Sequence, residues 1–235
     1  MIIERPSAQR GDVALDWLHS RHTFSFGQYY DPAWMGFGVL RVLNDDVVAA
    51  GGGFAPHRHA NMEIISVVLE GALAHQDSAG HSGVIRAGDV QWMSAGHGIE
   101  HSEYNGSDTE AVHFLQIWIQ PERLNYQPAY DQKHFPLAAR RGRWVVVAAP
   151  QGVDGALAIR QQATLALARL DAGEPLETAL DPSKRHWLHV ASGAVMLGER
   201  TLAAGDALGF VEASGSLHLQ GVAAVSDLLW LTLPG

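Results

Sequence analysis

Two short motifs carry the chemistry this sequence offers: His57-Arg58-His59 and His101-Ser102-Glu103. In a β-strand, side chains two positions apart point to the same face. Both imidazoles of the first pair therefore enter one space, with Arg58 turned away, and the second pair places an imidazole beside a carboxylate. Neutral imidazole is the commonest metal ligand. On neighbouring strands the two pairs would offer three nitrogens and one oxygen to a single ion. That donor set suits iron, manganese, nickel, copper or zinc and leaves coordination positions open. One H-x-H says little; two pairs of equal spacing, each beside Gly-rich turns, say much more.

The chain has 13 histidines, ten of them before residue 140. Those outside the two motifs have ordinary readings. His75 and His81 flank a polar turn and are expected to be exposed, and His97 lies in the Gly-rich turn before His101. His113 opens an apolar strand and is expected to be a hydrogen-bonded core residue. His22 can reach the pocket or cap a turn. His186 and His189, three apart, face opposite ways in a strand. The second half has no H-x-H, so it is expected to carry no metal and to have a structural or closing role. Glu63 shares parity with His57 and His59 in an unbroken strand, so spacing alone leaves it open as a carboxylate ligand. Phe24, Phe26, Trp34, Phe37, Phe54, Trp92 and Trp118 cluster near these motifs, as core or as the apolar wall of a pocket for a flat substrate.

These side chains need strands to hold them, and the sequence supplies them. Of its 235 residues, 47% are hydrophobic and 17% charged, ordinary for a packed globular protein. The 25 glycines punctuate short apolar runs, which points to an all-β chain. Strands are expected at Phe37 to Leu43, Val47 to Ala50, Ile64 to Leu69, Val90 to Met93 and His113 to Ile119, with Asn44-Asp45-Asp46 as a turn. Residues 120–143, with Pro121, Pro128, Pro136 and the basic cluster Arg140, Arg141 and Arg143, read as a linker. Further strands follow at Trp144 to Ala149, Leu165 to Leu170, Trp187 to Val190, Gly193 to Leu197, Ala207 to Val211 and Leu228 to Leu233. An internal echo joins the halves. Ile85-Arg-Ala-Gly-Asp-Val90 matches Leu202-Ala-Ala-Gly-Asp-Ala207, and Leu69-Glu-Gly-Ala-Leu73 matches Ala191-Ser-Gly-Ala-Val195, in the same order, suggesting a duplicated barrel.

The net charge of −9 disfavours direct contact with nucleic acid or anionic lipid. With no cysteine, thiolate ligands and disulfides are excluded. No signal-like apolar core or membrane-length run is present, and a soluble, cytoplasmic protein is expected.

The motifs then become specific. Gly51-Gly-Gly-Phe-Ala-Pro-His57-Arg-His59-Ala-Asn-Met-Glu63 resembles the first cupin motif, and Gly88 to Asn105 resembles the second. Ser94 stands where cupins usually have Pro, and four residues separate Gly96 from His101 where two are common. Those departures are similar to the pirin family, whose pattern is seen in Pro56-His57-Arg-His59 and Met93-Ser-Ala-Gly96-His-Gly98-Ile99-Glu-His101-Ser-Glu103. His22-Thr-Phe-Ser-Phe26, Tyr30-Asp-Pro32 and Leu40 to Asp46 also resemble that family. The likeness is strong over residues 12–131 and mainly one of layout beyond.

The resemblance implies an all-β bicupin, two β-sandwich or jelly-roll barrels facing each other. Residues 1–131 would form the metal-bearing barrel; residues 132–235 would form a linker and a degenerate barrel without metal. It implies His57, His59, His101 and Glu103 as ligands of one divalent transition-metal ion, iron first, with copper, nickel, manganese and zinc also suitable. Glu103 would also be the catalytic group, and Glu63 a structural residue beside the site. Two activities are implied: quercetin 2,3-dioxygenase chemistry on a small aromatic substrate with O2, or metal- or redox-responsive binding of a protein partner. A monomer is expected.

Overall fold

The computed structural model describes residues Met1–Gly235, almost wholly as strands joined by tight turns, with three short 3-10 segments. No helix is long and apolar enough to cross a membrane. Contacts divide the chain into two units. One contains Gly11–Phe135 with Ile159–Gln161; the other contains Met1–Arg10, Pro136–Ala158 and Gln162–Gly235.

The chain opens with β1 (Ile2–Arg5), which belongs to the second of these units. The Gly11–Phe135 unit then runs β2 (Gly11–Ala14), β3 (Leu18–His22), β4 (Leu40–Val48), β5 (Gly53–His59), β6 (Glu63–Glu70), β7 (Ala72–Asp77), β8 (Ser82–Arg86), β9 (Asp89–Ser94), β10 (Ile99–Asn105), β11 (Val112–Ile119) and β12 (Ala129–His134). Its larger sheet has the order β12-β9-β6-β11-β4-β3-β2 and its smaller sheet the order β5-β10-β7-β8. All pairs are antiparallel. The other unit runs β13 (Val145–Pro150), β14 (Leu157–Ile159), β15 (Thr164–Asp171), β16 (Pro175–Leu180), β17 (Lys184–Ser192), β18 (Ala194–Leu197), β19 (Arg200–Ala203), β20 (Ala207–Val211), β21 (Gly215–Gly221) and β22 (Val225–Pro234). Its sheets have the orders β1-β20-β17-β22-β15-β13-β14 and β16-β21-β18-β19.

The two orders are one plan used twice. Adding eleven to each of β4 through β11 converts the core of the first pair of sheets into the second. Both sequence echoes fall on equivalent junctions, β6–β7 against β17–β18 and β8–β9 against β19–β20. Aligning Leu73 with Val195 through that echo carries His101 and Glu103 of β10 onto Leu217 and Leu219 of β21. Both leucines are buried in one apolar cluster with Leu176, Val195 and Leu202. The second unit thus fills with hydrocarbon the space that the first lines with imidazole and carboxylate.

Two sequence expectations are corrected here. Asn44-Asp45-Asp46 is not a turn but the middle of β4, which runs unbroken from Leu40 to Val48. Local propensity favours a turn, but ladders to both β3 and β11 override it. Residues 120–143 are not simply a linker, because β12 pairs with β9 from Ala129↔Ser94 to His134↔Asp89. Pro128 and Pro136 flank that strand rather than interrupt it.

Parity along β4 sorts its side chains. Leu40, Val42, Asn44, Asp46 and Val48 are buried on one face. Asp45 points the other way and accepts a hydrogen bond from His113 Nε2 at 2.6 Å. Burial disfavours the imidazolium, but the hydrogen bond and charge of Asp45, with Glu70 and Asp46 adding, together raise the His113 pKa above its ordinary 6.5. A raised folded-state pKa means that this pair stabilises the fold fully below pH 6.5 and progressively less as pH rises through the folded value. A double-mutant cycle of Asp45→Asn and His113→Gln, read by urea unfolding, should give a coupling of about 1 kcal/mol at pH 6 that shrinks by pH 9. A coupling that grew with pH would refute this account.

Candidate metal centre

The smaller sheet delivers the two motifs. His57 and His101 are paired directly across β5 and β10, and His59 lies opposite Ile99. The ladder slips between His101 and Glu103, so that Glu103 meets Phe54. Ala55 and Pro56 form the bulge. It lets Phe54, although of opposite parity, line the same cavity as His57 and His59. Pro56 is tolerated because β5 is an edge strand. Gly53 allows the two backbones to close: a Cβ there would lie 2.4 Å from the Tyr104 ring and 2.6 Å from the Glu103 carbonyl. The turn that launches β10 depends on Gly96, whose φ is +51° and whose absent Cβ would fall 2.2 Å from the Tyr126 carbonyl.

The three imidazoles converge. Ring centroids lie 4.7 Å apart for His57 and His59, 4.5 Å for His57 and His101, and 4.8 Å for His59 and His101. One nitrogen from each lies within 4.8 Å of the others. The Glu103 carboxylate forms a second group, within the same reach, with His101 and His75. His57, His59, His101 and Glu103 line one small cavity with Phe26, Phe54, Ile64 and Trp118.

Several observations fit a cation here. His57 Nδ1 donates to the Ala55 carbonyl at 2.8 Å, which fixes the tautomer that leaves Nε2 its lone pair. His101 Nε2 is buried and has no hydrogen-bond partner. Burial, helped by the neighbouring imidazoles, lowers the pKa of His101 to about 2 and that of His59 to about 4. These rings are therefore neutral ligands at neutral pH. Glu103 is 2% exposed and is held only by neutral donors, Ser66 Oγ at 3.3 Å and Gln116 Nε2 at 2.7 Å. Burial raises its pKa to about 7, and Asp46 adds to the rise against the pull of Ser66 and Gln116. A cation is the partner such a carboxylate lacks.

A buried polar row in the larger sheet backs the site. Gln91, Ser66, Gln116, Asn44 and His22 are successive partners across β9, β6, β11, β4 and β3. All five are buried. The row separates two apolar clusters, one around Val48, Val68, Leu73 and Phe114, the other around Ile64, Met93 and Ile99. Ser66 and Gln116 reach Glu103, while Gln91 Nε2 lies 3.5 Å from His75 Nδ1.

His75 corrects the sequence reading. It is 2% exposed, stacked on Tyr130 at 4.8 Å, with Nδ1 3.5 Å from His101 Nδ1 and Nε2 3.4 Å from Asp77. Burial lowers its pKa despite the pull of Asp77. The Asp77 side chain is fully buried; burial alone would raise its pKa, but hydrogen bonds from the His81 backbone and ring and from His75 and Ala79 lower it. His81 is 40% exposed, at the end of this chain of groups. The missed signal was a third pair at the same spacing, His75-Gln76-Asp77, in parity with Leu73.

The remaining sequence candidates separate cleanly. His97 is exposed. His22 is buried beside the site in the polar row. His186 stacks on Trp230 at 5.1 Å, remote in sequence from the motifs. Glu63 is buried but has other work: it accepts from Trp92 Nε1 at 2.8 Å, Ser94 Oγ at 2.5 Å and the Arg160 backbone N–H at 3.0 Å. The chain turns at Asn61, with φ 54°, and re-enters in the other sheet, so the parity argument that kept Glu63 open does not apply.

Paired seven- and four-stranded antiparallel sheets, built twice, with a histidine and carboxylate cluster inside one unit, define a two-domain cupin. The pirin family model matches residues 4–119, and the model of the quercetinase C-terminal cupin domain matches residues 146–233. A quercetin 2,3-dioxygenase of Escherichia coli K12 is 42% identical over 235 residues, 100% of this chain and 99% of the relative. A pirin-like protein of Caulobacter vibrioides is 43% identical over 210 residues, 89% and 90% of the two chains. The bacterial pirin YhhW of Escherichia coli, crystallised in complex with nickel(II), superposes with a TM-score of 0.92 at 40% identity, over 100% of this chain and 99% of that one. The chain belongs to the pirin family.

The two acidic residues of the motifs should respond differently to substitution. Glu63→Gln should lower stability by about 1–3 kcal/mol, because a buried three-bond acceptor is weakened, and leave metal stoichiometry unchanged. Unfolding curves together with elemental analysis check this; loss of bound metal in a stably folded Glu63→Gln protein would overturn it.

Proposed function

We propose that His57, His59, His101 and Glu103 hold one divalent transition-metal ion and that the site opens a flavonol such as quercetin with O2. The observation that carries this reading is a buried carboxylate, held by two neutral donors, beside three imidazoles in a cavity walled by aromatic rings. Three nitrogens and one oxygen suit iron, copper, nickel, manganese or zinc. The nickel complex of the Escherichia coli relative supports a divalent ion, and that organism's quercetin 2,3-dioxygenase supports the substrate class.

The bound ion would supply Lewis acidity, easing loss of the acidic hydroxyl proton that a flavonol carries beside its carbonyl. The chain's own residues do the rest. Glu103, in the same cavity, accepts that proton. Ser66 and Gln116 hold the carboxylate in place. Phe26, Phe54 and Trp118 exclude water and orient the rings; Trp118 packs edge-on against His59 at 4.8 Å and Phe26 against Trp118 at 5.2 Å. O2 then cleaves the electron-rich central ring, and carbon monoxide leaves.

A second reading, a metal-responsive binding protein without turnover, is favoured by one feature. An open cleft of about 580 Å³, lined by Arg58, Ser78, His97 and Glu100, reaches His59 from outside. One assay separates the two. Metal-loaded protein should consume O2 as flavonol absorbance falls, and His59→Ala or His101→Ala should lose bound metal and at least about 100-fold in kcat/KM. Loaded protein that leaves both O2 and flavonol untouched would favour the binding reading; equal turnover without metal would sink the metal assignment.

A further inference from the structure

The small cavity at the histidines has room for roughly three waters, about 40 Å³, which admits a chelating hydroxyl and carbonyl but not a ring system. A second cavity of about 240 Å³ shares four lining residues with it: Phe26, Asn44, Asp46 and Phe54. Its other walls include Leu18 and Val13, apolar, and Ser20 and His22, polar. Together the two approach the lower bound of ordinary ligand pockets, roughly 300 Å³.

The polar wall of the larger cavity is unusual. Asn44 is 2% exposed, and its Oδ1 is buried and accepts no hydrogen bond. Beside it on the same face, Asp46 is 3% exposed and accepts from Ser20 Oγ. A buried acceptor without a donor is destabilising, so a strand that keeps one facing a cavity is poised for a donor from a ligand. The apolar walls fit a ring; the acceptors fit hydroxyls on it.

Resting on the flavonol reading above, we propose that this cavity is a phenol subsite: it seats a hydroxylated ring of the substrate, whose O–H donates to Asn44 Oδ1. Asn44 thereby sets both the orientation of the substrate and the preference for polyphenols over unsubstituted flavonols. A site built to bond a hydroxyl rejects the analogue without it, because the buried acceptor is then left unpaired.

The test is anaerobic titration of the metal-loaded full chain, followed by tryptophan fluorescence, with quercetin and with 3-hydroxyflavone. The latter keeps the chelating pair but has no hydroxyls on its two benzene rings. Wild type should bind quercetin at least about 10-fold more tightly, and Asn44→Ala should bring the ratio close to one. Equal affinities in wild type, or a ratio unchanged in a folded Asn44→Ala protein, would overturn the proposal. Resorcinol and its dimethyl ether test the subsite without the flavonol reading and without any variant. Resorcinol alone should shift the Asn44 side-chain amide and Leu18 methyl resonances. If it does so while neither flavonol binds, the subsite stands and the flavonol reading falls; if resorcinol and its ether act alike, the subsite falls.

Discussion

Everything in the first unit follows from putting an acid and three imidazoles into the interior of a β-sandwich. Ionised Glu103, 2% exposed, is expensive there unless a cation faces it. The fold meets that cost with two devices. The edge strand β5 bulges at Ala55-Pro56, so that histidines and Phe54 share one cavity. The larger sheet lays a polar row, Gln91, Ser66, Gln116, Asn44 and His22, behind the cluster, so that the carboxylate and His75 find donors inside the protein. The apolar core on either side is consequently divided in two.

The second unit shows the same sandwich without that constraint. Its strands follow the same order, and the equivalents of His101 and Glu103 are Leu217 and Leu219. Those leucines lie in one cluster that also takes in Leu188, Phe210, Leu228 and Trp230. Hydrocarbon packing stabilises by area, at about 25 cal/mol per Å², and needs no partner. Polar groups must each be matched. One architecture therefore encloses a polar cluster in one copy and plain core in the other, with the choice made at a few inward positions.

Parity made the histidine pairs legible in the sequence, because the strand period is two and both motifs lie on strands. It also exposed what parity cannot see. Glu63 has the right number but lies beyond the turn at Asn61, in another sheet, where it binds Trp92, Ser94 and the Arg160 backbone. Asn44-Asp45-Asp46 has the composition of a turn, and only pairing with two neighbouring strands reveals it as the centre of the larger sheet. His75 looked like a turn histidine because the polar turn after Asp77 dominates its surroundings. The register Glu103↔His75, which places it inside, joins segments far apart in the chain.

Two of the cavities that meet the histidine cluster differ in chemistry. The outer cleft that reaches His59 is lined by Arg58, Ser78, His97 and Glu100 and is open to solvent. The inner side offers Phe26, Phe54, Ile64 and Trp118, with Glu103 and Gln116 at its end. In the proposed reaction, charge that develops during proton loss and ring opening is stabilised best by fixed groups in a dry site, since bulk water would screen them and protonate the electron-rich intermediate. Glu103 lies on that inner side, in line with its proposed role as proton acceptor. The outer cleft then meets the cluster only through His59, so a group bound there would touch one imidazole of the cluster and none of the buried polar row.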